Sequence, residues 1–563
     1  MTDPQTPTFL RRCRQDAEAS LARGWALFRS KGLSQIQFWF VALLVGTAAG
    51  FAALLFRLAI VWLQTAVYGT PDVNTMASFA MTLPWWLVLS VPIAGGLTVG
   101  LILHRFTPDG RVRSVADVIE GAALGDGRVD NKAGVASAVC SWITLSTGGS
   151  SGREGPVVHM AAMIASWVSD RLKVDGVTAR DLLGCAVAAA VSASFNAPIA
   201  GALFALEVVL RHFALHAFAP IVVASAAGTV MNRLAFGDVT EFRLPGNTAL
   251  AFYLELPAFL ILGLTCGLIA AAMIRAIFFA DDLGTALQNR LKLPRWLRPS
   301  VAGAMLGVLA IGYPHIIGVG YETTSRALTG QLVLNEAIVF CVLKVIAVSI
   351  TMAGRMGGGI FSPALMVGAL TGLAFGQIAT GLLPTVSGSE TLYALAGMGA
   401  VAAAVLGAPI STTLIVFELT GDWQTGLAVM VSVSLSTALT ARMVERSFFL
   451  HQLERRHIRL AAGPQAYLLA MFRVQGVMRH REAENAADEQ ACRTMIEQGL
   501  WIQASSTLET ALPLFDKSGV AFLPVVILTG EDRTPELQGA LFHVDALKAY
   551  NRALAATAEE EHG

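Results

Sequence analysis

The chain has 563 residues, 54% of them hydrophobic and only 14% charged, against roughly 25% charged in an ordinary soluble domain. Mean hydropathy is +0.59 and the apolar residues gather into long runs, so the chain reads as a polytopic membrane protein. Forty Lys and Arg balance forty Asp and Glu, which excludes a nucleic-acid-binding role resting on bulk charge. Cys13, Cys140, Cys185, Cys266, Cys341 and Cys492 form no CxxC pair and read as packing residues or free thiols.

Residues 1–35 carry Arg11, Arg12, Arg14, Arg23, Arg29 and Lys31 and are expected to be a cytoplasmic amphipathic lead-in. Charges interrupt every apolar run there, so no signal peptide is expected. Ile36 to Leu63 is long enough to span about 30 Å of hydrocarbon. The loop from Tyr68 to Leu83 lacks Lys and Arg and is expected outside. Trp85 to Leu103 then returns to a basic loop with Arg105, Arg111 and Arg113. Arg290, Lys292, Arg295 and Arg298 mark another inner connection, between spans near Ala251–Phe279 and Val301–Ile316. Arg442, Arg446, Arg455, Arg456 and Arg459 place the C-terminal region in the cytoplasm as well. The absence of targeting signals suggests a bacterial inner membrane.

Between the clear spans, residues 114–215 and 335–445 hold apolar pieces of about ten to eighteen residues, broken by Gly, Pro, Ser and Asn, which are too short to cross alone. Their ends must be buried in protein or line an aqueous path, as in the broken-helix interiors of ion-transport folds. The stretch Gly148 to Pro156, GGSSGREGP, opens one such piece. Pro156 suits a first helical turn, small residues let a backbone approach a ligand, and the free N–H groups of a helix start attract an anion. Arg153 and Glu154 are costly inside a membrane and are therefore functional candidates.

The interior also repeats. Ala197 to Glu207 reads APIAGALFALE and Ala408 to Glu418 reads APISTTLIVFE, each at a similar distance behind a Gly-rich helix start that ends in Pro156 or Pro363. Two related halves favour a transporter or channel with its site at the repeat interface.

Four segments, GREGP at 152–156, FNAPIAGALFALE at 195–207, GGGIFSP at 357–363 and GAPISTTLIVFELTGDW at 407–423, resemble the signature segments of the CLC chloride channel and transporter family. The resemblance runs from about residue 36 to 460. It implies an all-α inverted-repeat bundle of broken helices, working as a homodimer with a chloride pathway in each subunit and not as an enzyme. Glu154 corresponds to the family's gating glutamate. Gly152, Arg153 and Gly155 around it, and Gly359, Ile360 and Phe361 at the second helix start, are expected to face the anion. Partial positive charge at a helix start attracts an anion without a full cation that would trap it.

Three departures bear on mechanism. The family's serine segment is reduced to Arg113-Ser-Val-Ala-Asp117, so Ser114 is open to two readings, ligand or ordinary helix cap. The family's central tyrosine aligns with Phe449, which has no hydroxyl to donate. The internal glutamate of proton-coupled members aligns with Val208, which cannot relay a proton. Glu207 is adjacent but turned by about 100° around a helix. Glu207 and Glu418 are expected to serve helix ends, with a relay as their alternative, and His159 and His212 are other proton carriers to weigh. Passive, voltage-dependent chloride conductance is therefore favoured over chloride/proton antiport, and another anion such as fluoride or nitrate stays open. Ser150 and Ser151 beside Glu154 and His159 make the one enzyme-like constellation, without a GxSxG elbow, HExxH or paired carboxylates to support it.

From about Pro464 the composition turns soluble. Leu523–Ile527 reads as a buried strand and Val544–Leu554 as a helix, giving a small cytoplasmic α/β domain over 464–563. It resembles a single CBS domain through residues 474–478, 507–511, 519–525 and 539–545. That resemblance implies a regulatory role and an adenine nucleotide whose ribose Asp545 would reach. No metal site is expected.

Overall fold

The computed structural model describes residues 35–562 apart from 71, 73–74, 214, 238–254, 385–386, 388, 422, 459, 461–468, 470–471, 484 and 530–533. The basic lead-in, save Gln35, lies outside the described residues, as do Arg459 and the boundary near Pro464.

The first half of the helical region starts with α1 (Gln35–Tyr68), a short α2 (Met76–Ala80) and α3 (Trp85–Phe106). It continues through α4 (Val115–Leu124), α5 (Asn131–Ser146), α6 (Glu154–Leu172) and α7 (Gly176–Phe195). It closes with α8 (Pro198–Phe204), prolonged by a wider π-helical turn (Ala205–Leu210), and α9 (Leu215–Phe236). The second half repeats the order: α10 (Leu256–Arg290), α11 (Arg298–Gly312), α12 (Tyr321–Leu328), α13 (Leu334–Ala353), α14 (Phe361–Leu382), α15 (Glu390–Leu406), α16 (Pro409–Thr420) and α17 (Trp423–Val444). A short α18 (Phe448–Glu454) follows.

Small residues set the packing in both halves alike, because close backbone approach replaces the hydrophobic effect as the adhesive between helices in lipid. A Cβ at Gly46 of α1 would lie 2.7 Å from the Ala224 backbone of α9. In the second half, one at Gly263 of α10 would lie 2.7 Å from the Ser432 carbonyl of α17. The halves also meet reciprocally: Gly96 of α3 abuts the Pro299 carbonyl, and Gly303 of α11 abuts that of Pro92. Such exchanged contacts are what a two-fold relation between inverted halves produces.

Every residue from Ala179 to Phe195 in α7 and from Leu392 to Leu406 in α15 is buried. Helices apolar on all sides belong in the interior. The outside is equally apolar: Trp39, Phe40, Leu44, Phe51, Leu55 and Trp62 of α1 and Ile261, Leu264 and Leu268 of α10 are exposed, as hydrocarbon requires. Among the described residues eight helices are long and apolar enough to cross a membrane.

The broken regions depart from expectation in length. α6, α7, α13, α14 and α17 run 19 to 22 residues, longer than the pieces inferred from their Gly and Ser content. Those glycines do not end helices. Gly184 packs on Leu210, and Gly368 and Gly372 pack on the backbones of Gly397 and Tyr393. The short elements within these regions are α4, α5, α8, α15 and α16. The span expected at Val301–Ile316 is also short, since α11 stops at Gly312 and Pro314–Ile316 forms a separate 3-10 turn.

The C-terminal region is α/β: α19 (Val474–Val477), β1 (Arg479–His480), α20 (Glu489–Glu497), β2 (Ile502–Gln503), α21 (Leu508–Ser518), β3 (Phe522–Thr529), β4 (Thr534–Phe542) and α22 (His543–His562). The sheet order is β1-β4-β3-β2, with β3 and β4 antiparallel and β2 parallel to β3. Leu508, Phe515, Leu523, Val525 and Leu541 form its core. It docks on the helical region through an Arg473–Asp175 ion pair, and through Glu509 of α21, 3.8 Å from Arg180 of α7.

Candidate functional site

The starts of α6 and α14 are fixed against each other by a two-bond bridge. The Gly152 N–H donates to the Gly359 carbonyl at 2.7 Å, and the Gly359 N–H donates back at 2.6 Å. Glycine at 359 permits this approach, since a Cβ there would lie 2.8 Å from the Gly155 backbone N, and one at Gly155 would press on the Gly359 Cα at 3.0 Å.

Glu154, 2% exposed, folds back across this bridge. The Ser362 hydroxyl donates to its Oε1, while the Ser362 N–H and its own N–H turn toward the carboxylate. Glu154 therefore lies on the first turn of α14, where the unpaired donors and helix dipole favour an anion. Among the described residues its Oε2 has no hydrogen-bond partner.

The two helix starts share the wall of a cavity of about 330 Å3. Of the expected residues, the structure gathers Ser114, Glu154, Gly155, Gly359, Ile360, Phe361 and Phe449 on its wall. Phe361 is held by Phe195 and Phe204, with ring centroids 4.7 and 5.9 Å away, and Phe449 stands edge-on to Phe448. Arg111, Arg355, Arg455 and Arg456 complete the wall with Asp281 and Gln452. The result is an apolar, ring-lined throat with a cationic rim, suited to a small anion.

Several expected residues stand elsewhere or are otherwise engaged. Gly152 is absent from the cavity wall, and both its N–H and that of Gly359 are spent on the bridge, which leaves neither as an anion donor. The Arg153 guanidinium turns away from the cavity, donating to the Ser194 carbonyl at 3.2 Å and lying over the Tyr321 ring in a neighbouring cavity of about 290 Å3. Ser114 caps α4 in a capping box with Asp117, whose carboxylate accepts the Ser114 N–H at 2.8 Å and pairs with Arg456 at 2.9 Å.

Glu207 and Glu418 sit at reciprocal helix ends. Glu418 accepts from the N–H groups of Ile199 and Ala200 at 2.9 and 2.8 Å, capping α8. Glu207 accepts from those of Ile410 and Ser411 at the same distances, and from the Ser411 hydroxyl, capping α16. Val208 is 5% exposed within the apolar core. His159 lies outside the cavity wall, packed behind Gly134. Asp545 pairs with Arg479 at 2.7 Å, so its carboxylate is already engaged where a ribose contact was expected.

Sequence reasoning missed Ser362, Arg355 and Lys344. Ser362 stood inside a quoted motif, directly before Pro363, and its position in the first turn of a helix was the available signal. Lys344 is the one cation within the apolar run of α13; it is fully buried, and its Nζ donates to the Gly318 carbonyl at 2.9 Å, anchoring the turn before α12. Nothing in the local pattern set Arg355 apart from a surface arginine.

A family model described as "Voltage gated chloride channel" matches residues 95–441. A ClcB-like chloride channel protein, so named provisionally, from Ralstonia nicotianae is 32% identical over 70% of this chain and 91% of its own length. The H(+)/Cl(-) exchange transporter ClcA of Vibrio parahaemolyticus is 27% identical over 74% of this chain and 89% of its own. Among solved structures, a slow cyanobacterial Cl-/H+ antiporter superposes with a TM-score of 0.66 at 19% identity, covering 75% of this chain and 98% of that one.

Proposed function

Because this chain belongs to the voltage-gated chloride channel family, CLC, we propose that it passes chloride through the cavity below Glu154, with that carboxylate as the gate and without coupled proton movement. The observation that carries the gate is the position of Glu154 on the first turn of α14, held by Ser362. There a carboxylate and a chloride ion compete for one set of donors. Protonation removes the carboxylate's charge and with it the competition.

The absence of coupling rests on Val208 and Glu207. Val208 is apolar and buried, and Glu207 is engaged by three hydrogen bonds at α16. A proton leaving Glu154 on this side finds no titratable group at the position where proton-coupled relatives carry one.

The same reading takes the bundle of residues 36–460 as the transport domain and 464–563 as a cytoplasmic CBS-like regulatory domain. It places both termini in the cytoplasm of a bacterial inner membrane, with the arginine rim facing inward. A homodimer fits the exposed apolar faces of α8, α9 and α16, including Ile199, Val222, Val230 and Ile410.

Chloride efflux from liposomes across a pH series tests the gate. Wild-type flux rises as pH falls. Glu154→Gln carries a neutral side chain at every pH, so its flux is high and flat above pH 7. A Glu154→Gln variant that keeps the wild-type slope contradicts the assignment.

A further inference from the structure

Arg355 occupies a backbone position that favours glycine. It follows Gly354, the C-cap of α13, with φ +55°. That left-handed conformation ends helices and is ordinarily taken by a residue without a Cβ. The helix end has no use for the guanidinium, because the Ala353 carbonyl already accepts from Arg298 Nε at 2.6 Å. Backbone strain of this kind persists where the surroundings or a function demand it.

The charge is also uncommitted. Arg111 pairs with Asp109 at 2.8 Å, Arg455 with Asp282, and Arg456 with Asp117 at 2.9 Å. Among the described residues no carboxylate pairs with Arg355, although it lines the cavity just before the Gly357–Phe361 turn into α14. It is half-buried, whereas Glu154 is buried, so it stands toward the solvent end of the wall. Ser114, also on the cavity wall, has its N–H taken by Asp117, which puts a carboxylate where the start of α4 would otherwise receive an anion.

We propose that Arg355 captures a small inorganic anion at the mouth of the cavity and delivers it to the first turn of α14, replacing the Ser114 side as the entry site. The inference rests on the reading that an anion traverses this cavity. A full cation at the narrowest point would trap the ion; at the wet rim it raises local anion concentration while letting the ion leave. Guanidinium stays charged at every working pH, so capture is independent of the pH dependence that Glu154 imposes.

The test is chloride binding by calorimetry to the purified full chain, together with efflux rates over a chloride series, for wild type, Arg355→Gly, Arg355→Gln and Arg355→Lys. Glycine relieves the left-handed backbone, so Arg355→Gly keeps the fold, with gel-filtration profile and melting temperature as checks. Loss of one nearby charge raises both the dissociation constant and the half-saturating chloride concentration about five- to tenfold in the Gly and Gln variants. Lys keeps values near wild type. Gly and Gln variants within twofold of wild type overturn the proposal. If wild type binds chloride with this dependence on Arg355 yet passes none, the transport reading fails and the capture site stands.

Discussion

At the scale of single residues, three carboxylates face helix starts and meet different fates. Glu207 and Glu418 each accept from two backbone donors, whereas Glu154 accepts from one hydroxyl and its Oε2 has no partner among the described residues. A carboxylate so incompletely held can be displaced. Ser362→Ala removes the hydroxyl that fastens Glu154 in place. A hydrogen bond to a charged group is worth about 1.5–3 kcal/mol, so the gate shifts toward release by roughly tenfold or more. Chloride flux above neutral pH then rises severalfold in liposomes; unchanged flux would remove Ser362 from the gate. Glu154 was legible from GREGP because an ionisable pair beside a helix start inside lipid has few structural uses. The donors were not: whether Gly152 and Gly359 offer N–H groups to an anion or to each other depends on a contact between segments two hundred residues apart.

At the scale of elements, α8 and α16 are joined by exchanged caps. Each repeat ends in a glutamate that closes the start of the other repeat's helix, which binds the halves more firmly than either short apolar helix could alone. Glu207→Ala and Glu418→Ala each strand two backbone donors, and each is expected to cost about 1–3 kcal/mol. Melting in detergent reads that cost. A Glu207→Ala protein of full stability but altered proton movement would make Glu207 a relay instead. The repeat itself was legible, since the closing glutamates share register in APIAGALFALE and APISTTLIVFE. The lengths of α7 and α14 were not, because a glycine that breaks an isolated helix becomes a packing surface once Leu210 or Tyr393 lies against it.

At the scale of the molecule, the α/β tail and the cavity beside Glu154 are linked through α4. α21 docks near α4 and α7, with Glu509 between Arg180 and Arg211. Burial pushes the Glu509 carboxyl above its ordinary range, and the two arginines offset this only in part. A raised pKa in the docked state means tighter proton binding there. The contribution is therefore fully present below the ordinary carboxylate value of about 4.3 and is lost as pH rises through the raised one. Hydrogen exchange in α21, corrected for intrinsic rates, should show protection falling over that window and flattening in Glu509→Gln; the same slope in the variant would place the titration elsewhere. The α/β tail was legible from composition, whereas its seat on α7 was not, because the Arg180–Glu509 and Arg473–Asp175 pairs join segments about three hundred residues apart.

Chloride passage without proton coupling is read by recording chloride and external pH together in liposomes. Liposomes holding high chloride would be clamped at zero voltage with valinomycin and equal potassium, with equal pH on both sides. Rapid chloride efflux is expected, with no proton movement beyond that of protein-free vesicles. External alkalinisation that follows the efflux and vanishes in Glu154→Ala would contradict it, and would mean that protons reach Glu154 by a route other than Val208.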